Sequence, residues 1–206
     1  MKRTIPDPAK VQSLIRAGQF FHSRGWVPAT AGNFSFRVDA KSIAVTVSGR
    51  HKGELGPGDL MRVDLHGKSL DKNKKSSAET LLHCQLYRRF PRTGAVFHVH
   101  SPASTVLSRR CDNLRLEGYE LLKILDGIET HETAVDIPVF ENDQDIARLA
   151  GVVDAHMATG GGRHAYLIRG HGLYAWGGTV EQARHRVEAL EFLFECEVLT
   201  RHGRMT

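Results

Sequence analysis

The chain has 206 residues, of which 41% are hydrophobic and 25% charged, with a formal net charge of +5. This composition excludes disordered and fibrous classes, and the length predicts one domain spanning residues 1–206. The basic residues are dispersed, which disfavours nucleic acid as a partner and suits a small anionic substrate. No apolar run approaches the roughly 18 residues of a membrane span. The N-terminus also lacks a signal-peptide core, so we expect a cytoplasmic protein.

The first half of the chain predicts a helix followed by a group of strands. Asp7-Pro8 and the apolar spacing after it predict a capped helix that ends near Gly25 and packs on a sheet. The next segments alternate or run apolar between turn residues, which is typical of an antiparallel meander. These segments are 33–38, 43–47 and 60–65.

Helices and strands then alternate along the rest of the chain. A solvated turn at 71–75 and a helix at 77–90 precede a strand at 94–100 and a short helix from Pro102. Helical patterns follow at 120–125, 143–159 and 179–201, and extended ones at 135–139, 165–168 and 173–176. Without a dinucleotide-binding fingerprint, this order predicts an α/β domain with a central, largely antiparallel sheet flanked by helices.

The three cysteines indicate no covalent or metal framework. Cys84, Cys111 and Cys196 are odd in number and far apart, so neither a disulfide scaffold nor a zinc ribbon is expected. We expect all three to be small buried apolar residues.

Two histidines separated by one residue, His98 and His100, end the strand predicted at 94–100. Side chains two apart on a strand share a face and lie roughly 6–7 Å apart, so two imidazoles can bind one cation. A third histidine, His171, lies between two glycines that permit a strained turn. Three histidines with an open fourth position are typical of a catalytic zinc site. The alternatives are a hydrogen-bonded polar pair and an ordinary turn.

Several hydroxyl, amide and glycine residues could form an anion site. Ser76 and Ser77 precede Glu79 at a predicted helix start, where free backbone N–H groups favour anions. The alternative is a capping box, in which Glu79 only reaches back to cap the helix. Two further small turns let backbone approach a phosphate, namely Gly32-Asn33 and Ser48-Gly49.

The chain resembles the class II aldolase family over nearly its whole length, in the segments TAGNFSFR, VTVSGR, SSAET, FHVHSPAS and RGHGLYAWG. The resemblance implies one Zn²⁺ per subunit, held by His98, His100 and His171. Glu79 would complete the metal shell or act as acid/base. The residues expected at the phosphate are Gly32, Asn33, Ser48, Gly49, Ser76 and Ser77, with Lys52 either countering its charge or simply exposed.

A narrower resemblance concerns the segments LRLEGYELLKIL, IPVFENDQDIARLA and GHGLYAWG. They are similar to family members that dehydrate a phosphorylated methylthio sugar in methionine salvage. This implies that Glu120 is the general acid/base, whereas the residues alone favour an exposed helical glutamate. The family also implies a homotetramer with the site near a subunit interface. The nearest alternative is a sugar-phosphate aldolase or epimerase, and one of another class is a non-enzymatic adducin-like scaffold.

Overall fold

The computed structural model describes residues 6–203, and one eight-stranded sheet forms its centre. The strands are β1 (Asn33–Arg37), β2 (Ser42–Thr46), β3 (Leu60–Asp64), β4 (Ala95–Val99), β5 (Asn113–Glu117), β6 (Ala134–Phe140), β7 (Ala165–Ile168) and β8 (Gly172–Gly177). Their order in the sheet is β3-β2-β1-β4-β8-β7-β6-β5. Neighbouring strands are antiparallel except β6 and β7, which are parallel. The predicted fold class is confirmed.

Helices cover both faces of this sheet. They are α1 (Pro8–Ser23), α2 (Thr80–Arg89), α3 (Pro102–Ser108), α4 (Ile146–Ala158) and α5 (Val180–Gly203). Apolar residues of α1, α3 and α5 join one core cluster, and those of α2 and α4 join the other. Helix α4 connects β6 to β7, as a parallel pair requires a crossover. Among residues 6–203, no helix is both long and apolar enough to cross a membrane.

The first core cluster fixes the position of β4. Phe97 of β4 packs against Phe34 of β1 and Phe21 of α1, with ring centroids 5.1–5.6 Å apart. All three rings are fully buried, and each burial contributes roughly 1.5–3 kcal/mol. Because Phe97 faces this cluster, His98 next to it faces the opposite side of the sheet, toward α2.

The observed elements differ from the predicted ones at several places. Strand β5 was not predicted, although buried Leu114 and Leu116 alternate there with exposed neighbours. Residues 120–124 form a 3₁₀ helix. The helix predicted from residue 77 begins at Thr80. Cys84 is buried as expected, but Cys111 and Cys196 are only half-buried, and the three thiols are free.

Candidate active site

Three histidines converge where the central strand β4 ends. His98 is the fourth residue of β4, His100 follows the strand, and His171 lies in the turn between β7 and β8. The Nε2 atom of His98 lies 2.8 Å from that of His100 and 3.3 Å from that of His171. Since β8 pairs with β4, the turn that precedes β8 comes directly beside the end of β4. The structure thus brings the predicted metal ligands together.

Glycine allows the His171 turn to approach β4 so closely. A Cβ atom on Gly172 would lie 2.1 Å from the carbonyl oxygen of Val99, so no other residue fits there. Gly170 has a φ of +61°, a conformation that glycine adopts without strain. Thr105 of α3 donates a hydrogen bond of 3.0 Å to the carbonyl oxygen of His171. The turn is therefore held by its close packing against β4 and by the hydrogen bond from α3.

The three imidazoles suit a divalent metal ion. The Nδ1 atom of His98 lies 3.0 Å from the carbonyl oxygen of Leu173 and must donate to it, which leaves the Nε2 lone pair facing the other histidines. The His98 ring also stacks on Tyr174, with centroids 4.0 Å apart. Burial lowers the pKa of His98 well below its usual value and that of His100 to about 3. Neutral imidazole nitrogens directed at one point are a typical zinc donor set.

Glu79 faces this cluster instead of capping its helix. Its Oε1 atom lies 3.3 Å from Nε2 of His171 and 3.8 Å from Nε2 of His98. Its Oε2 atom accepts a hydrogen bond of 2.5 Å from Nδ2 of Asn33. Glu79 occupies the N-cap position of α2, but its side chain makes no capping hydrogen bond. The capping-box interpretation is therefore wrong, and the carboxylate belongs to the histidine cluster.

Three further polar residues lie behind Asn33 and were not predicted from the sequence. His83 contacts Asn33 through Nε2, and Ser35 and Tyr87 continue the hydrogen bonds behind His83. The available signal is spacing: Glu79, His83 and Tyr87 are four apart, at positions that share one side of a helix. Burial of polar side chains at that spacing indicates a partner on the facing strand.

A cavity of about 260 Å³ beside the histidines collects most of the residues predicted for a phosphate. Glu79 and His100 also line it. Ser76 is not among the lining residues, and its backbone pairs with Val47. The predicted residues that do line the cavity are Gly32, Asn33, Ser48, Gly49, Lys52 and Ser77.

Lys52 supplies this cavity with a buried cation, so the alternative that it is simply exposed is wrong. Its Nζ atom donates hydrogen bonds of 2.7 Å to the carbonyl oxygen of Thr30 and 2.6 Å to that of Arg50. Burial lowers the pKa of Lys52 to about 8, and the nearby Glu79 carboxylate opposes that change. The ammonium group therefore stays mostly protonated at neutral pH.

A second cavity, of about 520 Å³, also borders the histidines. It shares Glu79 and His100 with the first cavity and is also lined by His171. Part of its wall is apolar, formed by Ile146, Leu149 and Ile168. The histidine cluster therefore borders both a polar cavity that suits an anion and a partly apolar one.

Glu120 lies apart from this arrangement within one subunit. It begins the 3₁₀ helix of residues 120–124, and its side chain is 70% exposed. It hydrogen-bonds to Lys123, which lowers the pKa of the Glu120 carboxyl, and its Oε2 atom lies 3.7 Å from Nδ1 of His131. Neither cavity beside the histidines is lined by Glu120.

Comparison with known proteins agrees with this geometry. The family model for the class II aldolase and adducin N-terminal domain matches residues 12–198. Methylthioribulose-1-phosphate dehydratase of Methylococcus capsulatus is 56% identical over 91% of this chain and 92% of that protein. The dehydratase of Pseudomonas syringae pv. tomato is 54% identical over 92% of this chain and 94% of that protein.

A solved structure resembles the fold over a similar share of the chain. The crystal structure of L-fuculose-1-phosphate aldolase from Thermus thermophilus is 26% identical, with a TM-score of 0.78 over 96% of this chain and 98% of that one. The family model and the relatives both span most of this chain. The chain therefore belongs to the class II aldolase and adducin N-terminal domain family.

Proposed function

We propose that this chain is a zinc-dependent methylthioribulose-1-phosphate dehydratase whose catalytic domain spans residues 1–206, acting in the cytoplasm in methionine salvage. The observation that carries the proposal is the identity of 56% to a protein of that name over 91% of this chain. The histidine cluster supports an enzyme rather than a metal-free scaffold, since three imidazoles facing one point, one buried and two half-buried, serve no packing purpose.

We assign one zinc ion per subunit to His98, His100 and His171. When bound, such an ion polarises the substrate ketone, so that the neighbouring C3 proton becomes acidic enough for removal by a carboxylate. Glu79 belongs to the same machinery, because its Oε1 atom already faces the histidines. It serves as a ligand before substrate binds or as an acid/base during the reaction.

The two cavities match the two ends of methylthioribulose 1-phosphate. The phosphate suits the smaller cavity, because protonated Lys52 and the hydroxyl-bearing Ser48 and Ser77 line it. The methylthio group suits the apolar wall at Ile146 and Leu149 in the larger cavity. A substrate bound in this way places its ketone and the neighbouring carbons beside the histidines.

The reaction removes the C3 proton and the C4 hydroxyl as one water molecule. The resulting enol becomes the ketone of 2,3-diketo-5-methylthiopentyl 1-phosphate when C4 gains a proton and the C3 hydroxyl loses one. One acid/base group can take the C3 proton and donate a proton to the leaving hydroxyl, and we assign this role to Glu120. Replacing this group is expected to lower kcat by about 10²–10⁴.

Glu120 would reach the site from a neighbouring subunit of a homotetramer. Its carboxylate is 70% exposed in its own subunit. Leu121 and Ile124 beside it are exposed apolar side chains, at 36% and 39%, of the kind that a subunit interface covers. In a cyclic assembly, each site would combine the histidines of one subunit with Glu120 of the next.

The function is tested by the products formed from methylthioribulose 1-phosphate. A phosphorylated diketone and water support the dehydratase. Two carbonyl fragments from cleavage of the carbon skeleton, or an epimer of the substrate, would instead indicate an aldolase or epimerase. No turnover of this substrate by the zinc-loaded protein would contradict the dehydratase assignment.

The role of Glu120 is tested by mixing two inactive variants, His98→Ala and Glu120→Gln. In randomly mixed tetramers, about one site in four joins an intact histidine cluster to an intact Glu120 across an interface. Co-expression should therefore restore about a quarter of the wild-type activity. If Glu120 acts within its own subunit, the mixture stays as inactive as either variant alone.

A further inference from the structure

A row of buried polar side chains extends from Glu79 into the space between α2 and β1. Glu79, His83 and Tyr87 lie four residues apart along α2, on one side of the helix. Asn33 and Ser35 lie two apart on β1, on the face that also carries His98 in the neighbouring strand. The two sets interleave, and all except Glu79 are buried.

Hydrogen bonds link the five side chains end to end. The hydroxyl of Tyr87 lies 2.9 Å from Oγ of Ser35, which lies 2.7 Å from Nδ1 of His83. Nε2 of His83 contacts Oδ1 of Asn33. Nδ2 of Asn33 then donates to Oε2 of Glu79 over 2.5 Å.

The chemistry of the five side chains fixes the donor and the acceptor in each of these hydrogen bonds. An ionised Glu79 carboxylate only accepts, so the Asn33 amide must present its NH₂ group to Glu79 and its oxygen to His83. Nε2 of His83 must then carry the proton, and Nδ1 must accept from Ser35. Burial lowers the pKa of His83 to about 3, which keeps the ring neutral. A neutral ring carries a single N–H proton, and here that proton is on Nε2. Every donor therefore points toward Glu79.

This arrangement restricts the Glu79 carboxylate. Oε2 is tied to Asn33, and only Oε1 faces Nε2 of His171, 3.3 Å away. Without the His83 proton, Oδ1 of Asn33 would be buried and unpaired, and its amide would be free to turn. The orientation of Glu79 thus depends on a residue whose hydrogen bonds go to Ser35 and Asn33, and not to Glu79 or the three histidines.

We propose that His83 is a positioning residue for Glu79, acting through the amide of Asn33. Asn33 accordingly serves to hold Glu79, besides lining the cavity assigned to the phosphate. The proposal rests on the proposed function only in taking Glu79 as part of the catalytic machinery. Its hydrogen-bond arrangement can be tested without any substrate.

The first test is the tautomer of His83, measured by ¹⁵N NMR of the zinc-loaded protein between pH 5 and 9. We expect a neutral ring with the proton on Nε2 throughout this range. A proton on Nδ1 would overturn the proposal, because Nε2 could then not donate to Asn33. A ring that gains a proton near pH 6.5 would overturn it as well.

The second test compares two amide variants of His83. The amide of His83→Gln can place an N–H near the position of Nε2, whereas that of His83→Asn reaches only the position of Nδ1. Misplacing a catalytic group by about 1 Å costs up to about 10²-fold in rate. We therefore expect kcat to fall about 10–100-fold in His83→Asn and less than about fivefold in His83→Gln, with KM nearly unchanged.

Controls separate positioning from a loss of stability. Gln85 is buried on the same helix but donates to Asp154, so Gln85→Leu should leave kcat within about twofold. Zinc content and thermal unfolding are measured for every variant. Equal losses of kcat in His83→Gln, His83→Asn and Gln85→Leu would overturn the proposal.

A double-variant cycle tests the route through Asn33. In an Asn33→Ala background, His83→Asn should change the remaining kcat by less than about twofold, because the linking amide is already gone. A further loss of tenfold or more would show that His83 acts by another route. If the wild type fails to dehydrate methylthioribulose 1-phosphate, the proposed function fails, while the tautomer measurement still decides the position of the His83 proton.

Discussion

Replacing Glu191 with Gln should stabilise the protein, and increasingly so as the pH rises. Glu191 lies on α5 and is fully buried. One carboxyl oxygen accepts from Oγ of Ser101, and the other has no hydrogen-bond partner among residues 6–203. Ser101 caps α3 directly after His100. Burial raises the pKa of Glu191 to about 8.

The size of the effect follows from this pKa. The difference between the usual value of 4.5 and about 8 corresponds to about 5 kcal/mol, at 1.36 kcal/mol per pH unit. Because the pKa is higher in the folded state, folding retains a proton that the unfolded chain releases. Stability is therefore lost as the pH rises from about 4.5 to about 8. At pH 7 the cost has reached about 3 kcal/mol.

Denaturant unfolding of the wild type and Glu191→Gln at pH 6, 7, 8 and 9 measures this cost, at constant protein and zinc concentrations. The variant should gain about 3 kcal/mol over the wild type between pH 6 and pH 9. Glu195→Gln, an exposed position on the same helix whose charge raises the pKa of Glu191 less than burial does, serves as the control and should show a much weaker trend. Parallel pH profiles for the wild type and Glu191→Gln would refute the reasoning.

Two further predictions concern the metal and the phosphate. His98→Ala should lose most of its zinc, because one of three protein ligands is gone, and metal analysis that finds full occupancy with full activity would contradict the assignment. Ser77→Ala should raise KM for the phosphorylated substrate about tenfold, the worth of one hydrogen bond to a charged group. Ser76→Ala should raise KM less, since Ser76 does not line the cavity. Equal KM values for the wild type and Ser77→Ala would remove Ser77 from the phosphate site.

Local patterns determined much of the fold from the sequence. The Asp7 cap, with its 2.9 Å hydrogen bond from the Ala9 N–H, and the apolar spacing after it specify α1. The alternation of side chains between residues 33 and 65 specifies the meander, which the structure confirms. The same period of two places His98, near the end of β4, and His100, directly after it, on one side of the chain. These signals depend on backbone geometry over a few residues, so they can be recognised in the sequence.

Tertiary structure alone decided which of several plausible roles each polar residue takes. Glu79 has the spacing of a capping residue, and only the approach of β1 and the β7–β8 turn directs it to Asn33 and His171. The sequence leaves Lys52 either exposed or beside the phosphate, and only the packing around it buries its ammonium group. Burial and hydrogen-bond partners depend on segments distant in the chain. Their contacts form only when the sheet assembles, which is why no local pattern predicts them.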